Sequence, residues 1–423
     1  MVEKNNHKQE VCLECQKEEQ PLKIRISFFF DGTLNNAENV KADTPDVGDS
    51  YASDLTNVAR LHDALLTKSD EFDLHLNIYT EGPGTVTGDK DSMWGAALGT
   101  GGTGVKAKAR AGWKSALEDM ENKGVSKSVK LEITFDTFGF SRGAACARYF
   151  IYAMHVDHES FRSEAAAKYG YENIASCNCK YTGLFDTVAS YGIKHSNDTQ
   201  DLSLNAVSFA ESGLHLCSAE EHRKKFRLTN TGSNSNIREL FLPGDHSDVG
   251  GGHIDANGEE EWVVYDLSIF RQSSTVKKAI KREIKWLTDR GWYTENELKY
   301  SKWPYNKLVA NRSGICNRYT YIPMNMMADF SLKSGGLNYK KRSIKGYDIP
   351  DNLTWLKEEL YGCLNGDSGG YDWMNDAREK TKEARHKYFH FSSRYNEAFG
   401  VHAPQWSDDD PIEGERRRIT QPG

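Results

Sequence analysis

Residues 129–150, VKLEITFDTFGFSRGAACARYF, constrain this chain more than any other stretch. Val129, Leu131, Ile133 and Phe135 alternate with polar residues, which is the period of a β-strand. Gly139-Phe140-Ser141-Arg142-Gly143 follows at once, and Ala144, Ala145 and Ala147 then open an apolar helix. A strand, a G-x-S-x-G turn and a helix together lift a serine to the mouth of a sheet. So sharp a turn leaves no room for side chains on its flanks, hence Gly139 and Gly143. The helix N-terminus favours negative charge beside Ser141. The motif is short enough to occur by chance. The strand before it and the small residues after it make Ser141 a candidate nucleophile.

The other strands carry candidate partners at their ends. Ile24, Ile26, Phe28 and Phe30 predict a first strand that runs into Asp31-Gly32-Thr33, at the carboxyl edge where open α/β sheets bind ligands. A strand over 180–185 stops at Asp186, and one over 238–242 delivers Asp245, His246, Asp248 and His253 on a glycine-rich loop. The order Ser…Asp…His is that of an α/β hydrolase. An aspartate after a strand also serves as an ordinary turn or cap, and Asp31, Asp245, His246 and Asp248 together would suit a metal-dependent hydrolase. His253, behind three glycines, is the weaker candidate base. Helices are predicted near 53–66 and 105–120, with a further strand at 74–78. Gly99 to Gly104 spells G-x-G-x-x-G, but no strand precedes it, so it is not a dinucleotide fingerprint.

These elements place the chain of 423 residues in the α/β class, with a mostly parallel central sheet flanked by helices, decorating insertions and a polar C-terminal extension. The expected organisation is a disordered tail over 1–20, a catalytic domain over 21–330, an extension over 331–403 packed on or near it, and a disordered tail over 404–423. The polar stretch 193–235 is expected to decorate the sheet edge. The net charge of −7 argues against general nucleic-acid binding. No apolar run is long enough to span a bilayer, and the start MVEKNNHKQE lacks the core of a signal peptide. The protein is expected to be made in the cytoplasm and, if exported, to leave without an N-terminal signal. Cys12 and Cys15 form a lone C-x-x-C that specifies no metal site. A helix over 274–290 gathers Lys277, Lys278, Lys281, Arg282 and Lys285 on one face, either for solvent or for anionic lipid. The aromatic-rich stretch 292–322 suits a substrate lid or a core.

Four separated motifs occur in one order: Phe29-Phe30-Asp31-Gly32-Thr33 with Thr56-Asn57-Val58, Gly139 to Ala144, Leu184 to Ser190, and Leu242 to Gly252. The set resembles the α/β-hydrolase-like family that contains the first class of type VI secretion phospholipase effectors. The resemblance implies a decorated hydrolase fold and phospholipase A activity on membrane phospholipid, with Ser141 as nucleophile, Asp186 as acid and His246 as base. It also implies a secretion-spike partner, an immunity protein and delivery into the periplasm of a target cell, with no cofactor. The oxyanion would be held by the N–H of Arg142 and by one from Asp31, Gly32 or Thr33, with Gly139, Gly143, Asp245 and Asp248 supporting the loops. The chain departs from the family pattern at Asp245, a carboxylate placed directly before the histidine. A hydrolase fold retained as a binding or delivery adaptor is the rival reading.

Overall fold

In the computed structural model the described residues are 20–42, 48–89, 91, 104–156, 158–189, 202–232, 234–266, 273–301, 306–341, 347–366, 371–394 and 416–423. Cys12, Cys15, residues 99–103, Trp303 and Tyr305 lie outside them. Seven strands occupy the first 242 residues: β1 (Leu22–Phe30), β2 (Leu74–Thr80), β3 (Leu131–Phe140), β4 (Ile174–Phe185), β5 (Ser212–Ser218), β6 (Leu228–Thr229) and β7 (Ile237–Leu242). All but β6 join one sheet in the order β2-β1-β3-β4-β5-β7, and every pairing is parallel. Register brings the strand ends level. Phe30 lies opposite Gly139, Phe140 opposite Phe185, and Ser218 opposite Leu242. Asp31, Ser141 and Asp186 therefore leave the sheet along one edge.

A parallel sheet is covered on both faces. Of its helices, α1 (Ala37–Lys41) and α2 (Asn57–Ala64) precede β2, α3 (Val105–Asn122) precedes β3, and α4 (Arg142–His155) and α5 (His158–Tyr169) follow it. Trp113 of α3, Ala144, Phe150 and Ile151 of α4, and Phe161 of α5 bury one face against Ile24, Ile26, Phe28 and Ile133. The other face, with Phe29, Phe138, Tyr181 and Leu214, is covered by Val58 and Leu61 and by elements from further along the chain. Those elements are α6 (His246–Gly250), α7 (Ser273–Asp289), α8 (Tyr321–Gly335), α9 (Thr354–Asn365) and α10 (Glu379–Tyr388). Because both faces are covered, Arg25 and Ser27 of β1 and Asp136 and Thr137 of β3 are buried too. Arg25 grips Asp136 through two bonds of 2.8 Å, and Ser27 adds a third at 3.0 Å.

Several expectations are corrected. The boundary expected at 330 falls inside α8, and Leu337, Leu356, Trp373 and Phe391, from the stretch expected as an extension, share a core with residues of the sheet. The stretch expected to decorate the edge instead supplies β5, an interior strand, whose polar content hid it. His215 is wholly buried because its Nδ1–H donates to Glu239 at 2.9 Å and its Nε2 accepts from the Thr187 amide at 3.1 Å. Strands β8 (Asn257–Asp266), β9 (Leu298–Ser301) and β10 (Asn306–Ile315) form a small antiparallel sheet that periodicity had not revealed. Trp292, Tyr293 and Tyr319 of the aromatic stretch are core residues. On α7, Lys277, Lys278, Lys281 and Lys285 face solvent. The tail expected to be disordered from 404 is ordered over 416–423, where β11 (Thr420–Gln421) pairs parallel with β6.

Candidate active site

Ser141 stands between β3 and α4 with φ 57° and ψ −123°, a backbone conformation that a side-chain-bearing residue rarely adopts. Its amide donates to Phe185 O at 3.0 Å, and its carbonyl accepts from Val188 at 3.3 Å, tying the turn to the end of β4. The two glycines of the motif are required by space. A Cβ on Gly143 would lie 2.2 Å from the carbonyl oxygens of Phe30 and Asp31, and one on Gly139 would lie 2.4 Å from Gly143 O. These contacts describe a tight strand-to-helix elbow over Gly139–Gly143.

At the end of β4 the wholly buried Asp186, with φ 40°, accepts the Nδ1–H of His246 at 2.5 Å. Its Oδ1 also accepts from the Ser218 amide at 2.9 Å, and Arg418 donates to both carboxylate oxygens at 2.9 Å. Burial pushes this acid up, but the Arg418 charge and the His246 bond outweigh it and hold Asp186 below the usual carboxylate value. With the proton on Nδ1, Nε2 is the basic nitrogen of His246. The imidazole lies 4.6 Å from the ring of Phe140, the residue before Ser141, and edge-on to Phe226 at 5.1 Å. Structure thus brings Asp186 and His246 into direct contact beside the elbow.

Asp245 and Asp248 fix the loop that carries His246. Asp245 caps α6 by accepting from Ser247 at 2.9 Å and Asp248 at 2.8 Å, while Asp248 accepts the Asp245 amide at 2.9 Å. The carboxylate of Asp245 is turned from His246 toward His253, whose Nε2 lies 3.1 Å away, and Asp248 meets His390 Nδ1 at 2.8 Å. Despite burial, His253 holds Asp245 well below the carboxylate range, and burial beside that charge pushes Asp248 well above it. Asn57 closes the loop from the other side, donating to Val249 O at 2.9 Å and Thr320 O at 3.0 Å.

The turn after β1 is rigid for a related reason. Asp31 is buried and accepts from Gly32 N–H at 2.7 Å, Thr56 Oγ1 at 2.7 Å and Tyr79 OH at 2.6 Å. Its own amide donates to Thr80 O at 3.0 Å. The amides of Asp31 and Gly32, two of the three expected as alternative donors to an oxyanion, are thus engaged within the protein. Thr33 remains from that turn, and Arg142 opens α4. The metal set of Asp31, Asp245, His246 and Asp248 does not converge. Among the described residues the groups close enough to share an ion are Asp248 with His253 and His390, and His215 with Cys217 and Glu239. Each contains hydrogen-bonded histidine–carboxylate pairs.

Arg418, Phe226, Tyr79 and His390 escaped the sequence reading. The run Arg416-Arg417-Arg418 in a polar tail was the one available signal for the first. Residues 152–271 match the family model described as T6SS phospholipase effector Tle1-like, catalytic domain, a span that includes Asp186 and His246 but stops short of Ser141. Among solved structures, one described as the Tle1 effector bound to the VgrG spike of the type 6 secretion system aligns with TM-score 0.65 and 18% identity, over 99% of this chain and 98% of that one. An uncharacterized protein from Pseudomonas aeruginosa overlaps 56% of this chain and 43% of its own, at 24% identity and TM-score 0.35. No curated protein matches. The resemblance drawn from the motifs is therefore borne out: the chain has the α/β-hydrolase-like fold of a Tle1 effector, and over residues 152–271 it matches the Tle1-like phospholipase catalytic domain.

Proposed function

We propose that the protein is a serine ester hydrolase, a phospholipase A-type effector of the type VI secretion system. The observation that carries this reading is the strained Ser141 elbow set beside a buried His246–Asp186 pair. Ser141 Oγ attacks an acyl ester carbon as His246 Nε2 takes its proton, and Asp186 stabilises the imidazolium. The oxyanion is met by the N–H groups of Arg142 and Thr33, which flank the elbow on two adjacent strand ends. His246 then returns the proton to the leaving lysophospholipid oxygen, and water repeats the sequence to free the fatty acid. The mechanism calls for no cofactor.

Delivery follows the same analogy. The similar solved structure is described as bound to a VgrG spike, so a spike partner for this chain is part of the proposal, as are an immunity protein and a periplasmic site of action after cytoplasmic synthesis. Among the described residues no helix is long and apolar enough to cross a membrane, which suits an enzyme that approaches lipid from water. To test the reading, vesicles of phosphatidylethanolamine and phosphatidylglycerol are incubated with the protein and the products weighed by mass spectrometry. Lysophospholipid and free fatty acid are expected, together with fluorophosphonate labelling, both lost in Ser141→Ala. An unlabelled wild type that cleaves nothing would favour the adaptor. Undiminished hydrolysis by folded Ser141→Ala would remove the nucleophile.

A further inference from the structure

Asp186 is held from a direction that a serine–histidine–aspartate arrangement does not require. Arg418 covers both carboxylate oxygens at 2.9 Å while donating to Phe226 O at 2.6 Å, and its side chain is 5% exposed. The segment that delivers it is latched on both sides. Before it, Arg416 bonds Glu283 at 3.1 Å and Ser393 at 2.6 Å. After it, the Leu228 amide donates to Ile419 O at 2.9 Å and the Asn230 amide to Gln421 O at 3.0 Å. Thr229 in turn donates to Thr187 O at 2.8 Å, one residue from Asp186. Such a seat fixes the guanidinium rather than letting it wander over the surface.

We infer that Arg418 is a positioning residue that sets how tightly Asp186 and His246 together hold a proton. The inference rests on reading Ser141, His246 and Asp186 as a hydrolase triad. A buried carboxylate with no cation beside it makes its histidine partner hard to deprotonate. A guanidinium on the same carboxylate competes with that proton and weakens the carboxylate's hold on the imidazolium. The other titratable groups nearby are compensated or neutral. Arg223 is paired with Glu221 at 2.6 Å, Asp245 with His253, and burial raises the Cys217 thiol well above its usual value. Phe140 and Phe226, which face the imidazole, carry no charge. Among the described residues Arg418 is the cation in contact with Asp186 besides His246 itself.

The test titrates His246 in the full chain by imidazole 15N chemical shift, its signal assigned by disappearance in His246→Gln. In Arg418→Gln the titration is expected to rise by about one pH unit or more, and the acid limb of kcat/KM on a soluble short-chain ester should move with it. Arg418→Lys keeps the charge but cannot bridge both oxygens, so a smaller rise is expected. A titration unmoved in whichever of these variants folds overturns the inference, since a purely structural residue would change stability and leave this midpoint alone. The shift measurement needs no turnover. Absence of Ser141-dependent hydrolysis in the wild type would overturn the hydrolase reading and leave the Arg418 result standing.

Discussion

Asp186→Asn tests the site most severely, because one change removes a charge on which two partners depend. The asparagine keeps the shape but leaves Arg418, 5% exposed, without its carboxylate. Stranding one member of a buried ion pair costs about 3–5 kcal/mol. The amide oxygen can still accept one Arg418 N–H and the Ser218 amide, so the low end, about 3 kcal/mol, is expected. The wild-type carboxyl is held below its ordinary value, so its contribution is present above the unfolded pKa and is lost as pH falls through the folded one. The stability gap between wild type and variant should therefore narrow in acid, below about pH 4. On turnover, an amide facing His246 Nδ1 no longer enforces the tautomer with a basic Nε2, and kcat should fall by about four decades. Urea unfolding measures the first quantity and ester hydrolysis the second. Adding Arg418→Gln removes the stranded cation and should recover much of the stability but none of the activity. A folded Asp186→Asn with kcat within about tenfold of wild type would refute the acid assignment, and a double variant whose losses simply add would refute the stranded-charge argument.

Three further outcomes follow from local geometry. Ser141→Gly relieves the positive φ, so it should be more stable to urea than Ser141→Ala by about 1 kcal/mol while both are inactive. Gly143→Ala drives a methyl to 2.2 Å from two backbone oxygens, and should cost about 3 kcal/mol in unfolding experiments and abolish hydrolysis by displacing the elbow. Asp376 bonds Arg378 and Thr381 and is held down to about 2, so Asp376→Asn should destabilise by about 1 kcal/mol at neutral pH, a loss that fades as pH falls from about 4 toward 2.

Ser141, Asp186 and His246 were legible because each follows a strand whose last residues are apolar, and because turns at strand ends use few residue types. What stayed hidden was held by distant partners. His215 in β5 looks like a surface residue until Glu239 and the Thr187 amide are placed against it. Asp245 read as a neighbour of His246 in sequence, yet a capped helix turns its carboxylate toward His253. Gly32 seemed an amide donor for substrate, and the buried Asp31 beside it had already accepted that hydrogen. Arg418 lies 232 residues from Asp186, beyond any window in which periodicity or motif spacing can operate.

The same separation has a consequence in time. A ribosome releases the elbow of Ser141 first, the sheet strand ending at Ser218 next, and the strap that seats Arg418 last. The Arg418 contact of Asp186 must wait for that later segment, whereas those with Ser218 and His246 can form before it, and contacts between distant residues are slow to form even in a finished chain. A nascent chain therefore passes through an interval in which Ser141 and Asp186 are already in place while Arg418, the cation that clamps both oxygens of Asp186, is not yet made.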